Sequence, residues 1–184
     1  MKLLAFGASH RAESYNRKLA KLAAAEAAKL GAEVDFAEYS EFDMPIYNDS
    51  GTLEGAPKSV RSFGDRAAKA DGIIISSPEY NWSYPGSIKN IIDWTSRIKP
   101  NPAAGKTALL MSATTGSRGG ILGVSHLKTP LEALQLFVFP KMFPLGHAPD
   151  AFTEQNELRD GKQHELFISL IKDYVTFTRN LSNH

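Results

Sequence analysis

The sequence predicts an α/β fold with a five-stranded parallel sheet covered by helices on both faces. The order 2-1-3-4-5, one of the two common doubly wound arrangements, fits it. Three observations carry this expectation. Short apolar runs alternate with longer helix-forming stretches along the whole chain, as they do in parallel sheets. The run Ile73 to Ile75 is β-branched and continuous, the mark of a strand buried on both faces. It ends in a Pro-bearing loop, Ser77 to Pro85, rich in aromatic and amide side chains, and open α/β sheets place their ligands at that carboxyl edge.

Lys2 to Phe6 reads as a short buried strand bounded by Gly7. The Ala-, Lys- and Leu-rich stretch from Asn16 to Leu30 has strong helix propensity, and Gly31 supplies its stop. Glu33 to Tyr39 alternates polar and apolar with Val34 and Phe36 inward, as a half-exposed edge strand would. Residues 40–56, with Pro45, Asn48, Asp49, Gly51 and Gly55, form a long irregular connection of the kind that covers a site. Pro57 to Ala70 is an amphipathic helix opened by proline. Gly72 to Ser76 is the central strand, and a helix follows over Pro85 to Arg97. Thr107 to Ser112 is the fourth strand and Gly120 to Leu136 is helical. Phe137 to Phe143 is a fifth strand, which Pro140 places at an edge or a bulge. Thr153 or Asn156 is expected to cap a closing helix that runs to about Asn180.

A chain of 184 residues is expected to form one domain, 1–184, with a real core. The 21 Lys and Arg balance 20 Asp and Glu, so no field favours nucleic acid or an anionic membrane. The lack of cysteine excludes disulfides, thiol catalysis and thiolate metal sites, so redox chemistry would need a bound cofactor. The histidines (His10, His126, His147, His164, His184) lack metal-ligand spacing, so no metal is expected. The apolar run at the amino terminus is too short for a secretory signal, and no stretch approaches a bilayer span. A soluble cytoplasmic protein is expected.

Three loops converge on one crevice. The first, Gly7 to Asn16, joins the first strand to the first helix. A phosphate needs N–H groups at a helix amino terminus, hydroxyl donors and preferably a guanidinium. Ser9, Ser14 and Asn16 can supply side-chain hydrogen bonds and Arg11 the charge, although Ser14 equally suits a helix cap. The loop is not G-x-G-x-x-G, which excludes the dinucleotide fingerprint. Gly105-Lys106-Thr107 resembles the end of a Walker loop, but Pro100 stands where glycine is required and the run leads into a strand. No G-x-S-x-G elbow exists, which weakens a hydrolase reading. The second loop is Pro78 to Tyr84, and the third is Thr114 to Gly120.

Ser77 to Trp94 matches every fixed letter of S-P-E-Y-N-x-S-x-P-G-x-x-K-N-x-I-D-W. Gly7, Ser9, Arg11, Ser14 and Asn16 match G-x-S-x-R-x-x-S-x-N, and the third loop is similar to S-x-G-x-x-G-G with Thr114 in place of Ser. On these motifs the chain resembles the NAD(P)H-dependent FMN reductases, which include soluble quinone and chromate reductases. The resemblance covers roughly residues 1–145 and implies a flavodoxin-like three-layer sandwich and non-covalent FMN. It also implies a two-step exchange, in which NAD(P)H delivers a hydride and leaves before a quinone, azo dye, free flavin or metal oxyanion enters. It places Ser9, Arg11, Ser14, Tyr15 and Asn16 at the phosphate. Pro78, Glu79, Tyr80 and Asn81 fall beside the ring, with the Asn81 side chain holding the turn. Thr114, Thr115, Gly116, Arg118 and Gly119 lie opposite, where glycines would let backbone approach a flat ligand. Arg118 has three readings: near the flavin, on nicotinamide phosphates, or in solvent. No side chain is required as acid or base, so no catalytic residue is assigned.

Family members are usually homodimers or homotetramers, and burial of Trp82, Tyr84 and residues 40–56 between subunits would suit their composition. Some members carry Arg and Tyr where Leu122 and Ser125 stand here, so neither a subunit-bridging pair nor chromate as substrate is implied. The alternatives are a flavodoxin-type electron carrier or a flavin-binding sensor. The first is disfavoured by Arg11 in the loop and by the net charge of +1.

Overall fold

The computed structural model describes residues 1–48 and 56–182. Its five strands are β1 (Lys2–Gly7), β2 (Glu33–Phe36), β3 (Gly72–Ser76), β4 (Thr107–Ala113) and β5 (Phe137–Leu145). All pair in parallel, in the order β2-β1-β3-β4-β5. The helices are α1 (Tyr15–Lys29), α2 (Lys58–Lys69), α3 (Gly86–Thr95), α4 (Ile121–Ala133), a single turn α5 (Ala148–Ala151) and α6 (Gly161–Ser182).

Strand periodicity divides the core in two. Leu3, Ala5, Ile74, Leu109 and Met111 meet Leu19, Ala23 and Ala27 of α1 and Phe167, Ile171 and Tyr174 of α6. Leu4, Phe6, Ile73, Ile75, Ala108 and Leu110 meet Val60 and Phe63 of α2, Ile88 and Ile91 of α3, and Val124 and Leu127 of α4. Every residue of β3 and β4 is buried, which is why those segments carry continuous apolar runs.

Several boundaries differ from expectation. β2 stops at Phe36, and Tyr39–Phe42 forms a 3₁₀ turn. Its Tyr39 and Phe42 rings pack around Phe6, at 6.0 and 5.6 Å between centroids. Within the predicted irregular connection, residues 44–47 are strapped to α3. The Asn90 side chain accepts from Tyr47 N–H (2.8 Å) and donates to the Met44 and Pro45 carbonyls (both 3.0 Å). Trp94 Nε1 donates to Pro45 O at 2.9 Å. Asp49, Gly51 and Gly55 lie outside the described residues. β5 is an edge strand with a register shift opposite Ala108 and Leu110 and runs on to Leu145.

Neither Thr153 nor Asn156 caps the closing helix. Thr153 Oγ1 accepts from Glu157 N–H within a turn closed by the Phe152–Leu158 bridge, and Asn156 sits in that turn at φ +61°. Asp160 does the capping, accepting from Gln163 N–H at 2.9 Å. No helix among the described residues is long and apolar enough to cross a membrane.

Candidate functional site

The loops after β1, β3 and β4 lie together at the carboxyl edge of the sheet, where the strand order reverses between β1 and β3. α1 closes directly on the end of β1 because residue 7 has no side chain. A Cβ at Gly7 would stand 2.6 Å from Arg17 N and Cα. Ser14 is the helix cap, accepting from Arg17 N–H at 3.2 Å, and Ser9 Oγ accepts from Arg11 N–H at 3.3 Å. α1 therefore brings to this edge first-turn N–H groups that no helical carbonyl can take.

Charge is distributed unevenly here. Arg17 makes a bidentate pair with Glu38 at 2.6 and 2.5 Å, which Lys21 joins at 3.6 Å. The Arg17 guanidinium holds the Glu38 carboxyl below its usual range. Arg11 is exposed and takes no ion pair among the described residues. Beside it lies a cavity of about 310 Å³, lined by Ser9, His10, Arg11, Arg17, Glu38 and Tyr39. Burial pushes the Tyr39 phenol up to about 12, so it remains a neutral hydroxyl, and it donates to Ser87 Oγ at 3.1 Å.

Two residues of this loop have other employment. The Tyr15 ring stacks on Phe152, with centroids 6.3 Å apart and planes 7° from parallel, so its side chain belongs to packing. Asn16 is 4% exposed, and its amide bonds the Ala113 peptide and the Ser76 hydroxyl. Both acceptor positions of the Asn16 amide and one of its N–H groups are thus spent inside the fold, which leaves chiefly the backbone N–H groups of these two residues for an anion.

In the second loop Tyr80 and Ser83 exchange backbone bonds at 2.8 and 3.0 Å, with Asn81 at φ +48° and Trp82 at φ +68°. This is a type I′ turn. Asn81 serves it by tolerating the left-handed region; its side chain makes no hydrogen bond among the described residues. A bulky residue at positive φ is strained, and such strain gathers at functional sites. The turn leaves Tyr80 and Trp82 54% and 59% exposed. Tyr84 instead packs partly buried against the core. The Arg118 guanidinium of the third loop is exposed, as the solvent reading expects, and lies 4.9 Å from the Trp82 ring centroid.

Glu79 is committed to the scaffold. Its Oε2 accepts from Gly123 N–H at 2.8 Å, in the first turn of α4, whose own cap position is Gly120. Pro78 and Tyr80 flank it in the chain; the Tyr80 N–H and carbonyl are both taken by Ser83, and the Pro78 carbonyl accepts from the Ser77 hydroxyl at 3.1 Å. Replacing Glu79 with Ala is expected to cost about 1–3 kcal/mol, lowering the melting temperature by ~2–12 °C. Glu79→Gln keeps the acceptor and is expected to recover most of that loss. A Gln variant as unstable as Ala would show that charge matters more than the cap.

The third loop folds back on the end of β5. Thr114 N–H donates to Leu145 O (3.0 Å), and His147 N–H to Gly116 O (3.2 Å). Gly119 and Gly120 have φ +63° and +78°. A Cβ on Gly119 would stand 2.5 Å from the Pro144 carbonyl carbon, and one on Gly120 would strike the Ser112 hydroxyl. Gly119 therefore admits protein backbone, contrary to the expectation that it admits a ligand. Gly116, with open space around it and Thr115 exposed beside it, is the glycine a ligand can approach.

Sequence reading missed Ser76 and Gly123, and gave Asn90 and Trp94 no role beyond their place in the motif. Ser76 did leave a signal, as the one hydroxyl closing an otherwise apolar strand. Among the described residues no group of three or more His, Cys, Asp or Glu could hold a metal.

A doubly wound sheet with free first-turn N–H groups of α1 at its switch point is the arrangement in which open α/β sheets commonly bind nucleotides. A model of the NADPH-dependent FMN reductase family matches residues 1–150, and the chain belongs to that family of oxidoreductases. It is 32% identical over 185 residues to an NAD(P)H-dependent FMN reductase of Pseudomonas aeruginosa, covering 98% of this chain and 97% of the relative. It is 34% identical over 177 residues to a quinone reductase of Pseudomonas putida, covering 93% and 92%. Among solved structures, the flavoenzyme NAD(P)H:(acceptor) oxidoreductase FerB of Paracoccus denitrificans superposes with a TM-score of 0.85 at 29% identity, covering 97% of both chains. Flavodoxin 1 of Bacillus cereus, with a TM-score of 0.63 at 14% identity, shows the flavodoxin-like fold alone.

Proposed function

We propose that the chain transfers a hydride from NAD(P)H to a small acceptor such as a quinone, free flavin, azo compound or metal oxyanion, with FMN as its non-covalent cofactor. The observation that carries this reading is the uncommitted Arg11 guanidinium beside the first turn of α1, across the switch point from the open backbone of Gly116. That donor set suits a phosphate joined to a flat ring. Ser9, Arg11, Ser14 and the N–H groups of Tyr15 and Asn16 would hold the phosphate. The backbone of Pro78, Tyr80, Asn81, Thr114, Thr115 and Gly116 would flank the ring. When bound, FMN supplies the electron-transfer chemistry, and the protein supplies position and electrostatics. Arg118, resting on Trp82, brings positive charge to the mouth.

One crevice must then serve donor and acceptor in turn. Double-reciprocal plots with NAD(P)H and a quinone are expected to be parallel; intersecting lines would indicate both substrates bound together and oppose a shared site. The near-neutral charge of +1 supports turnover over a flavodoxin-type carrier, which docks through an acidic face. The half-exposed Trp82 and Tyr80 rings support a homodimer or homotetramer, and a cytoplasmic location is part of the same reading.

A further inference from the structure

Asn16 and Ser76 are buried polar side chains where the three loops meet, 4% and 0% exposed. Asn16 Oδ1 accepts from the Ala113 N–H and from the Ser76 hydroxyl, both at 2.9 Å, while Nδ2 donates to the Ala113 carbonyl at 2.9 Å. The amide thus pairs with the N–H and carbonyl of the last residue of β4 as a neighbouring strand would. One side chain in the first turn of α1 is bound to the ends of β3 and β4, 60 and 97 positions away in the chain. Ser76 also returns its carbonyl to Ala8 N–H at 2.8 Å, which closes the link between β3 and the first loop.

We infer that Asn16 and Ser76 are positioning residues that set the spacing between the phosphate subsite and the ring subsite. The inference rests on the FMN reading above. A mononucleotide joins phosphate to ring through a short chain, so both ends bind at once only where the two subsites keep a fixed separation. Holding that separation before binding is preorganisation, and it favours the ligand that uses both ends. Riboflavin has no phosphate and does not sense the spacing.

The test titrates the flavin-free full chain with FMN and with riboflavin, for the wild type, Ser76→Ala, Asn16→Ala and the double variant. Melting temperatures are measured alongside. Ser76→Ala removes one hydroxyl and is expected to weaken FMN binding about tenfold, with riboflavin binding unchanged within about twofold. Asn16→Ala is expected to lose more, because it also strands the Ala113 peptide. The double variant is expected to bind FMN about as well as Asn16→Ala alone, since the two residues act through one bond. An unchanged FMN-to-riboflavin ratio in Ser76→Ala, or an equal loss of both ligands, overturns the inference. A ratio that falls in Asn16→Ala but not in Ser76→Ala also overturns it, because Asn16 would then meet the phosphate itself. Should Asn16→Ala fail to fold, Ser76→Ala decides alone. Wild-type protein that binds the two flavins equally overturns the phosphate reading instead.

Discussion

Replacing Arg11 with Ala is expected to weaken FMN binding by roughly ten- to a hundredfold while leaving the melting temperature of the flavin-free chain unchanged. A hydrogen bond to a charged group is worth about 1.5–3 kcal/mol, which converts to that range of affinity. The stability half follows from the structure. Arg11 is exposed and carries no ion pair among the described residues, so truncation breaks nothing in the fold. Its neighbour Arg17 makes the contrast, since its guanidinium ties α1 to Glu38 through two short bonds. Calorimetric titration with FMN, set beside a thermal melt, separates the two effects. Unchanged FMN affinity in Arg11→Ala would remove this residue from the site.

Gly7→Ala is expected to damage both properties. Its Cβ would stand 2.6 Å from Arg17 N and Cα and 2.7 Å from the Asn16 carbonyl carbon, all backbone atoms with no rotamer to change. Relief requires α1 to lift off the end of β1. Overpacking costs about 1–3 kcal/mol, and contacts with backbone belong at the upper end. The melting temperature should fall by ~6–12 °C, taking 2–4 °C per kcal/mol for a domain of this size. FMN affinity should fall with it, because the first-turn N–H groups move with the helix. A variant that melts within ~2 °C of wild type would mean that the first turn of α1 adjusts freely, which opposes a rigid phosphate subsite.

The sheet was legible because burial on both faces forces continuous apolar runs such as Ile73 to Ile75, and these stand out between polar stretches. The start of the closing helix was not. Thr153 looks like a helix cap, but the Phe152–Leu158 bridge holds it in a turn, and nothing local distinguishes the two uses. The crevice was likewise visible as a set of loops, whereas the division of labour inside it was hidden. Asn16, Glu79 and Gly119 have the residue types a flavin site needs, yet each serves the scaffold. Their partners lie far along the chain: Gly123 is 44 positions from Glu79, and Ala113 is 97 from Asn16. A donor spent on such a partner looks the same in sequence as a donor that is free. The opposite case is the second half of the long motif, where Asn90 and Trp94 hold residues 44–47 in place. Their bonds to that segment mark a structural strap.

The most direct test separates the two halves of the reaction. FMN-loaded protein is titrated under anaerobic conditions with NADPH or NADH, and the flavin absorbance is followed. The oxidised flavin band should be lost as nicotinamide is added and should return on addition of a quinone, with no nicotinamide needed in the second step. If the protein holds FMN but neither nicotinamide bleaches it, the crevice is a flavin site without turnover, and the account of this chain as an NAD(P)H-dependent reductase is contradicted.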